Sequence, residues 1–192
     1  MINPINLCLN FKIIFINFIL ITNLISQELH QDLLKKLDNN FPAEISFIQT
    51  DSNNFTSKGW MIVGKNGLAR VEFEPPNHYI MVADGSWLVV HDAQYDRTSY
   101  LPLDKGILGA LLHPKKFNSV NKLRVSKIEN KNNINFAVAS ENFEGSELKV
   151  YFNRSNKLLN GWEIIENEKL NIKVEILEIK KINNLMKFDE NI

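Results

Sequence analysis

Few side chains in this sequence have types and spacings that could do chemistry. The four histidines, His30, His78, His91 and His113, offer no pair or triplet at metal-ligand spacing. His91-Asp92 has the composition of a general base with an orienting carboxylate, but it ends an alternating apolar run and reads as a surface strand terminus. No serine sits in a strand–turn–helix elbow, and no glycine-rich loop opens a helix. Gly64-Lys65-Asn66-Gly67 could cradle an anion, although the same composition makes a plain turn. Neither an enzyme nor a metal or cofactor site is expected. The resource that remains is apolar surface.

That surface is laid out on short alternating runs. The densest signal lies between Gly59 and Leu101. In Arg70-Val71-Glu72-Phe73-Glu74 polar and apolar residues alternate until Pro75-Pro76 stops the run. This period of two marks a strand with one wet and one dry face. Tyr79–Ala83 follows, then Asp84-Gly85, a favoured hairpin pair, then Trp87–His91 and a further run through Tyr100. Ala43–Thr50 and Gly59–Val63 precede them. From Leu123 the alternation returns around Ile134/Phe136/Val138, Leu148/Val150/Phe152, Trp162/Ile164 and Ile172/Val174/Ile176. Short strands at such intervals predict one antiparallel barrel or a strongly curved sheet.

Two apolar segments break the pattern. Leu29, Leu33, Leu34, Leu37 and Phe41 recur at helical spacing, predicting an amphipathic helix over Gln27–Phe41 that Pro42 ends. Ile107–Leu112 is too apolar for a surface loop and predicts one or two helical turns, closed by His113-Pro114. Residues 1–26 read as a cleaved signal peptide, with the apolar run Ile13–Ile21 and a cleavage site at Leu24-Ile25-Ser26. The run is shorter than the roughly 20 apolar residues of a membrane span. A single domain over residues 27–192 is expected. Cys8, the only cysteine, precedes the apolar run, so it is badly placed for lipid attachment and excludes a disulfide within one chain. With 22 basic and 22 acidic residues the chain carries no footprint for nucleic acid.

The ordered set of a helix, the Ser46-Phe47-Ile48-Gln49 strand, Gly59–Pro76, the Val82–Val90 hairpin and the apolar turns near Leu108–Leu112 resembles the periplasmic outer-membrane lipoprotein carrier family (LolA type). The resemblance spans Gln27 to about Phe188. It implies a mainly β fold with helices, an incomplete antiparallel β-barrel (half-barrel) covered by the N-terminal helix and a short helical lid. It also implies a monomeric periplasmic carrier of a Gram-negative bacterium. Such a carrier takes triacylated lipoproteins from an inner-membrane ABC transporter complex to the outer membrane, where an acceptor lipoprotein could receive them.

By that resemblance the acyl cavity would be lined by Phe47, Met61, Val63, Val71, Phe73, Val82, Trp87, Val89, Leu108, Leu111, Leu112 and Phe152. Each of these residues taken singly fits ordinary core equally well. Lys65, Leu68, Ala69 and Arg70 would sit at the cavity mouth and meet the lid or a partner. Family members commonly have Arg-Pro where this chain has Lys65-Asn66. Lysine keeps the charge but lacks the planar fork of donors, so weaker lid contacts are expected. The family often has a bulky apolar residue at the position of Ala69, a role that Leu68 would take here. An alternative on the same fold is a periplasmic lipid- or lipoprotein-sensing or acceptor module.

Overall fold

The structure, a computed structural model, describes residues 27–140, 142–143 and 145–182. The signal-peptide reading and the tail from residue 183 lie outside the described residues. Residues 27–40 form helix α1, in the place the 3.6-residue period predicts. Six strands follow in up-and-down order: β1 (Ala43–Asp51), β2 (Thr56–Val63), β3 (Leu68–Phe73), β4 (Tyr79–Asp84), β5 (Trp87–Asp92) and β6 (Arg97–Pro102). A 3-10 turn (Leu103–Lys105), α2 (Gly109–Leu112) and α3 (Pro114–Asn121) interrupt the strands. Five more strands close the order: β7 (Leu123–Glu129), β8 (Asn133–Ser140), β9 (Ser146–Asn153), β10 (Leu159–Glu166) and β11 (Lys169–Lys181).

All eleven strands share one antiparallel sheet, ordered β6-β5-β4-β3-β2-β1-β11-β10-β9-β8-β7. The first and last strands of that order do not pair, so the sheet is open. β11 pairs with β1 and joins the two meanders into one surface. The curl comes from local irregularities. The β1–β11 register shifts between Ser46 and Phe47, and the β9–β10 register between Leu159 and Gly161. Such bulges bend a strand and raise its twist. Gly161 has φ +154°, and a Cβ there would collide with the Val174 carbonyl oxygen, so only glycine fits this bend.

The concave face divides into a packed half and a hollow half. α1 covers the packed half, over β7–β10. Asp32 accepts from Lys127 at 2.8 Å, and the Lys36 ammonium sits 5.9 Å from the Phe152 ring centroid. Asn40 ends the helix and fixes it. Its Nδ2 donates to the Lys36 and Lys157 carbonyls, while its Oδ1 accepts the Leu159 N–H at 2.8 Å. Beneath α1 the leucines of the helix meet the inward residues of β8 and β9 in one buried cluster, which holds Phe136, Val138, Leu148, Val150 and Phe152. The other half, under β2–β6 and the α2–α3 segment, is not filled.

The α2–α3 segment differs from its sequence reading in extent. The apolar turns do close at His113-Pro114, with α2 ending at Leu112 and His113 as its C-cap, but the chain re-enters a helix at once: Pro114 stands at the start of α3, where its missing N–H costs nothing. Phe117 of α3 stacks on Phe143 with ring centroids 5.6 Å apart, and Ser140 Oγ at the end of β8 donates to the Asn121 carbonyl. These contacts tie the C-terminal end of the lid to the packed half.

Candidate ligand cavity

Alternation decides which side chains face the hollow half. On β1, Phe47 and Gln49 point inward; on β2, Met61 and Val63; on β3, Ala69, Val71 and Phe73. Their cross-strand partners continue the rows, Val63 opposite Ala69 and Met61 opposite Val71, then Ala69 opposite Ala83 and Val71 opposite Met81. Leu88 and Val90 of β5, Leu101 of β6, Trp162 and Ile164 of β10, and Ile172 and Val174 of β11 complete the wall. Leu108, Leu111 and Leu112 close it from above. The cavity has a volume of about 260 Å³, and apart from Gln49 and the Trp162 indole N–H its lining side chains are apolar. Phe47 and Phe73 meet edge to face at 5.5 Å and hold one side of the wall rigid.

Of the twelve residues expected to line the cavity, the structure brings together Phe47, Met61, Val63, Val71, Phe73, Leu108, Leu111 and Leu112. Val82, Trp87, Val89 and Phe152 do not line it. Val82 and Val89 pair with each other, Val89 also with Tyr100, on the opposite, convex face, where Trp87 is 45% exposed. The inward residues of β4 and β5 are the neighbours in sequence: Met81, Ala83, Leu88 and Val90. Phe152 is inward but 0% exposed, edge to face with Phe136 beneath α1, and belongs to the packed half. Leu101, Trp162, Ile164, Ile172 and Val174 are lining residues the sequence reading left out. Their inward phase is legible from alternation, but their convergence on β2–β5 depends on how far the sheet curls.

The four residues expected at the mouth separate as well. Ala69, 2% exposed, is a lining residue. Leu68 and Arg70 have the opposite phase on β3, and Arg70 is turned to Glu72 through Nε at 2.8 Å and Nη2 at 2.7 Å. Lys65 is exposed at the β2–β3 tip, and its side chain makes no hydrogen bond or ion pair among the described residues.

The lid is held instead by Lys116 of α3. Its Nζ donates to the Gly85 carbonyl and to Ser86 Oγ, each at 3.1 Å, at the tip of the β4–β5 hairpin. The Trp87 and Ser86 backbone N–H groups hold the Asp84 carboxyl below its ordinary range, and the nearby Lys116 charge adds to this. The two hairpin tips touch. A Cβ on Gly67, at φ +86°, would lie 2.8 Å from Gly85 Cα and 3.1 Å from His113 Cδ2. Burial lowers the His113 pKa, and the neighbouring Lys116 ammonium lowers it further, which keeps the imidazole neutral over that contact. Among the described residues no cluster of His, Cys, Asp and Glu could hold a metal, and no helix is long and apolar enough to cross a membrane.

This arrangement can do one thing well, which is to take up apolar chains and cover them. A profile of the family described as "Outer membrane lipoprotein carrier protein LolA" matches residues 42–188. No curated protein matches by sequence. Among solved structures, an uncharacterized conserved protein from Thermus thermophilus superposes with a TM-score of 0.50 at 11% identity, covering 81% of this chain and 88% of that one. A putative outer membrane lipoprotein-sorting protein domain from Vibrio parahaemolyticus gives 0.49 at 9% identity, covering 86% and 96%. The MucA/MucB complex of Pseudomonas aeruginosa gives 0.49 at 12%, covering 79% of this chain but 56% of that one.

Proposed function

We propose a function from one premise: the chain belongs to the outer membrane lipoprotein carrier protein LolA family. The protein carries acylated lipoproteins across a periplasm, from an inner-membrane ABC transporter to the outer membrane. The cargo's acyl chains lie in the cavity and its protein part stays in water. The observation that carries this reading is the cavity itself, walled by apolar side chains and covered by leucines of a lid that a polar contact fastens.

Magnitudes explain why such a carrier needs a lid. Burying an acyl chain is worth about 0.8 kcal/mol per methylene, so a chain of ~16 carbons is worth about 12 kcal/mol and will not leave a bilayer unaided. A site of matching apolarity left open would expose the kind of patch soluble proteins avoid. Leu108, Leu111 and Leu112 cover it; the fully buried Leu111 is worth roughly 1.5–3 kcal/mol, and the other two are half-buried. Acyl chains that enter the cavity displace these leucines from it. The exchange of leucine for lipid keeps loading and release within reach of one another.

The test is binding of a fluorescent palmitoyl probe and of a triacylated lipopeptide by the purified protein, followed by release to vesicles. The expected result is stoichiometric uptake, lost in Leu111→Asp while the far-UV circular dichroism is unchanged. Absence of uptake by the unaltered protein overturns the carrier reading. Uptake without release to any acceptor membrane favours a sensing module on the same fold.

A further inference from the structure

The cavity has two ends, and they differ. At the hairpin-tip end, Gly67 packs on Gly85, His113 covers both, and Lys116 ties α3 across the β4–β5 turn. At the other end the lining continues. Leu88, Leu101, Leu108, Ile164 and Ile172 line the cavity and also a second recess of about 270 Å³, between the segment leading into the lid and the end of the β10–β11 hairpin. The rim of the recess is polar, with Lys105, Glu166 and Asn171. Gly106 in its wall is exposed, and a Cβ there would meet no atom within 4 Å.

We propose that this recess is the port of the cavity. It takes the head-proximal part of an acyl chain, and the glyceryl ester and amide carbonyls of the cargo sit at the Lys105–Asn171 rim. The proposal rests on the carrier reading above and adds where the chain enters. Two observations support it. Five residues of the cavity's own wall, Leu88, Leu101, Leu108, Ile164 and Ile172, run on into this recess, so the apolar lining is continuous from one to the other. Its rim also suits the head. Lys105 and Asn171 are hydrogen-bond donors for ester and amide oxygens, while Glu166 balances the lysine charge, so the rim matches an uncharged acyl-glyceryl head better than a phosphodiester.

Photoreactive 1-palmitoylglycerol tests the port on the unaltered protein, with a diazirine either beside the ester or at the chain end. The head-proximal label is expected on residues 102–109 or 166–171, and the chain-end label on the strands around Met61 and Met81. A head-proximal label on residues 64–68 or 84–86, or one divided between the two ends, overturns the port. Failure of both probes to bind at all instead counts against the carrier reading. Gly106→Trp supplies an independent readout, since it adds a bulky side chain at the recess wall at an ordinary φ. It should weaken 1-palmitoylglycerol about tenfold or more, because each methylene denied burial costs roughly a factor of four. Undiminished palmitoylglycerol binding overturns the port, as does tighter binding of the phosphate-headed analogue by the unaltered protein. If Gly106→Trp does not fold, the labelling pattern alone decides.

Discussion

Lys116 Nζ lies 3.1 Å from the carbonyl oxygen of Gly85, and this contact fastens the lid helices to the tip of the β4–β5 hairpin. The lysine and its acceptor are 31 residues apart in sequence and belong to elements that the cavity separates. The contact therefore reports on closure: it exists when α3 lies across the hairpin tips and is lost when the lid lifts.

Lys116→Met removes the donor and keeps the length of the stem. The expected outcome is a several-fold faster uptake and release of a palmitoyl probe, with a loss of global stability of at most about 1 kcal/mol, since the bond is partly exposed. Stopped-flow fluorescence measures the first and denaturant melts the second. Unchanged rates would show that closure does not depend on this contact.

The packed and hollow halves should answer oppositely to substitution. Phe152→Ala opens a void under α1 and should cost about 3–5 kcal/mol, while the molecules that remain folded bind acyl probe normally. Met61→Trp puts volume into the cavity and should block acyl binding with a much smaller loss of stability. Paired melts and titrations check both. Equal destabilisation by the two would mean that the hollow half is packed as tightly as the other.

His30 on α1 is 7% exposed, and its Nε2 has no hydrogen-bond partner among the described residues. Burial lowers its pKa from the ordinary 6.5, so the folded state holds the neutral ring. The unfolded chain then binds more protons, and stability falls as pH drops below 6.5 until the folded-state pKa is passed. Melting temperatures between pH 7.5 and 5, measured at roughly half-unit steps, should decline less steeply in His30→Leu than in the parent. The slope left over belongs largely to His113, whose pKa is lowered in the same direction.

Sequence alone makes most strands and their inward faces readable, because the one-sided alternation of β1–β3 and β7–β11 leaves little choice of phase. It does not give the phase of β4 and β5. Tyr79-Ile80-Met81-Val82-Ala83 and Trp87-Leu88-Val89-Val90 are apolar on both faces, and only pairing to β3 puts Met81, Ala83, Leu88 and Val90 inward. Phe152 shows a second limit. Period two places it on the concave face, but whether that place is filled or hollow depends on where α1 docks, a contact more than a hundred residues away in sequence. The closing contact of the lid had no signature at all. Lys116 sits in Pro114-Lys115-Lys116-Phe117-Asn118, a stretch whose composition is that of any polar surface helix.

Strands β6 and β7, at the two margins of the sheet, each leave one edge without a partner strand among the described residues, and this sets the mechanical character of the fold. A closed barrel fixes its bore through strand number and shear, and cannot widen without breaking a ladder of hydrogen bonds. Here no ladder joins the margins, so the sheet can uncurl by small changes of twist spread over eleven strands while every existing pair stays intact. An open sheet of this kind can change its bore at little cost in backbone bonding, which on the proposed function would let one wall fit one acyl chain or several.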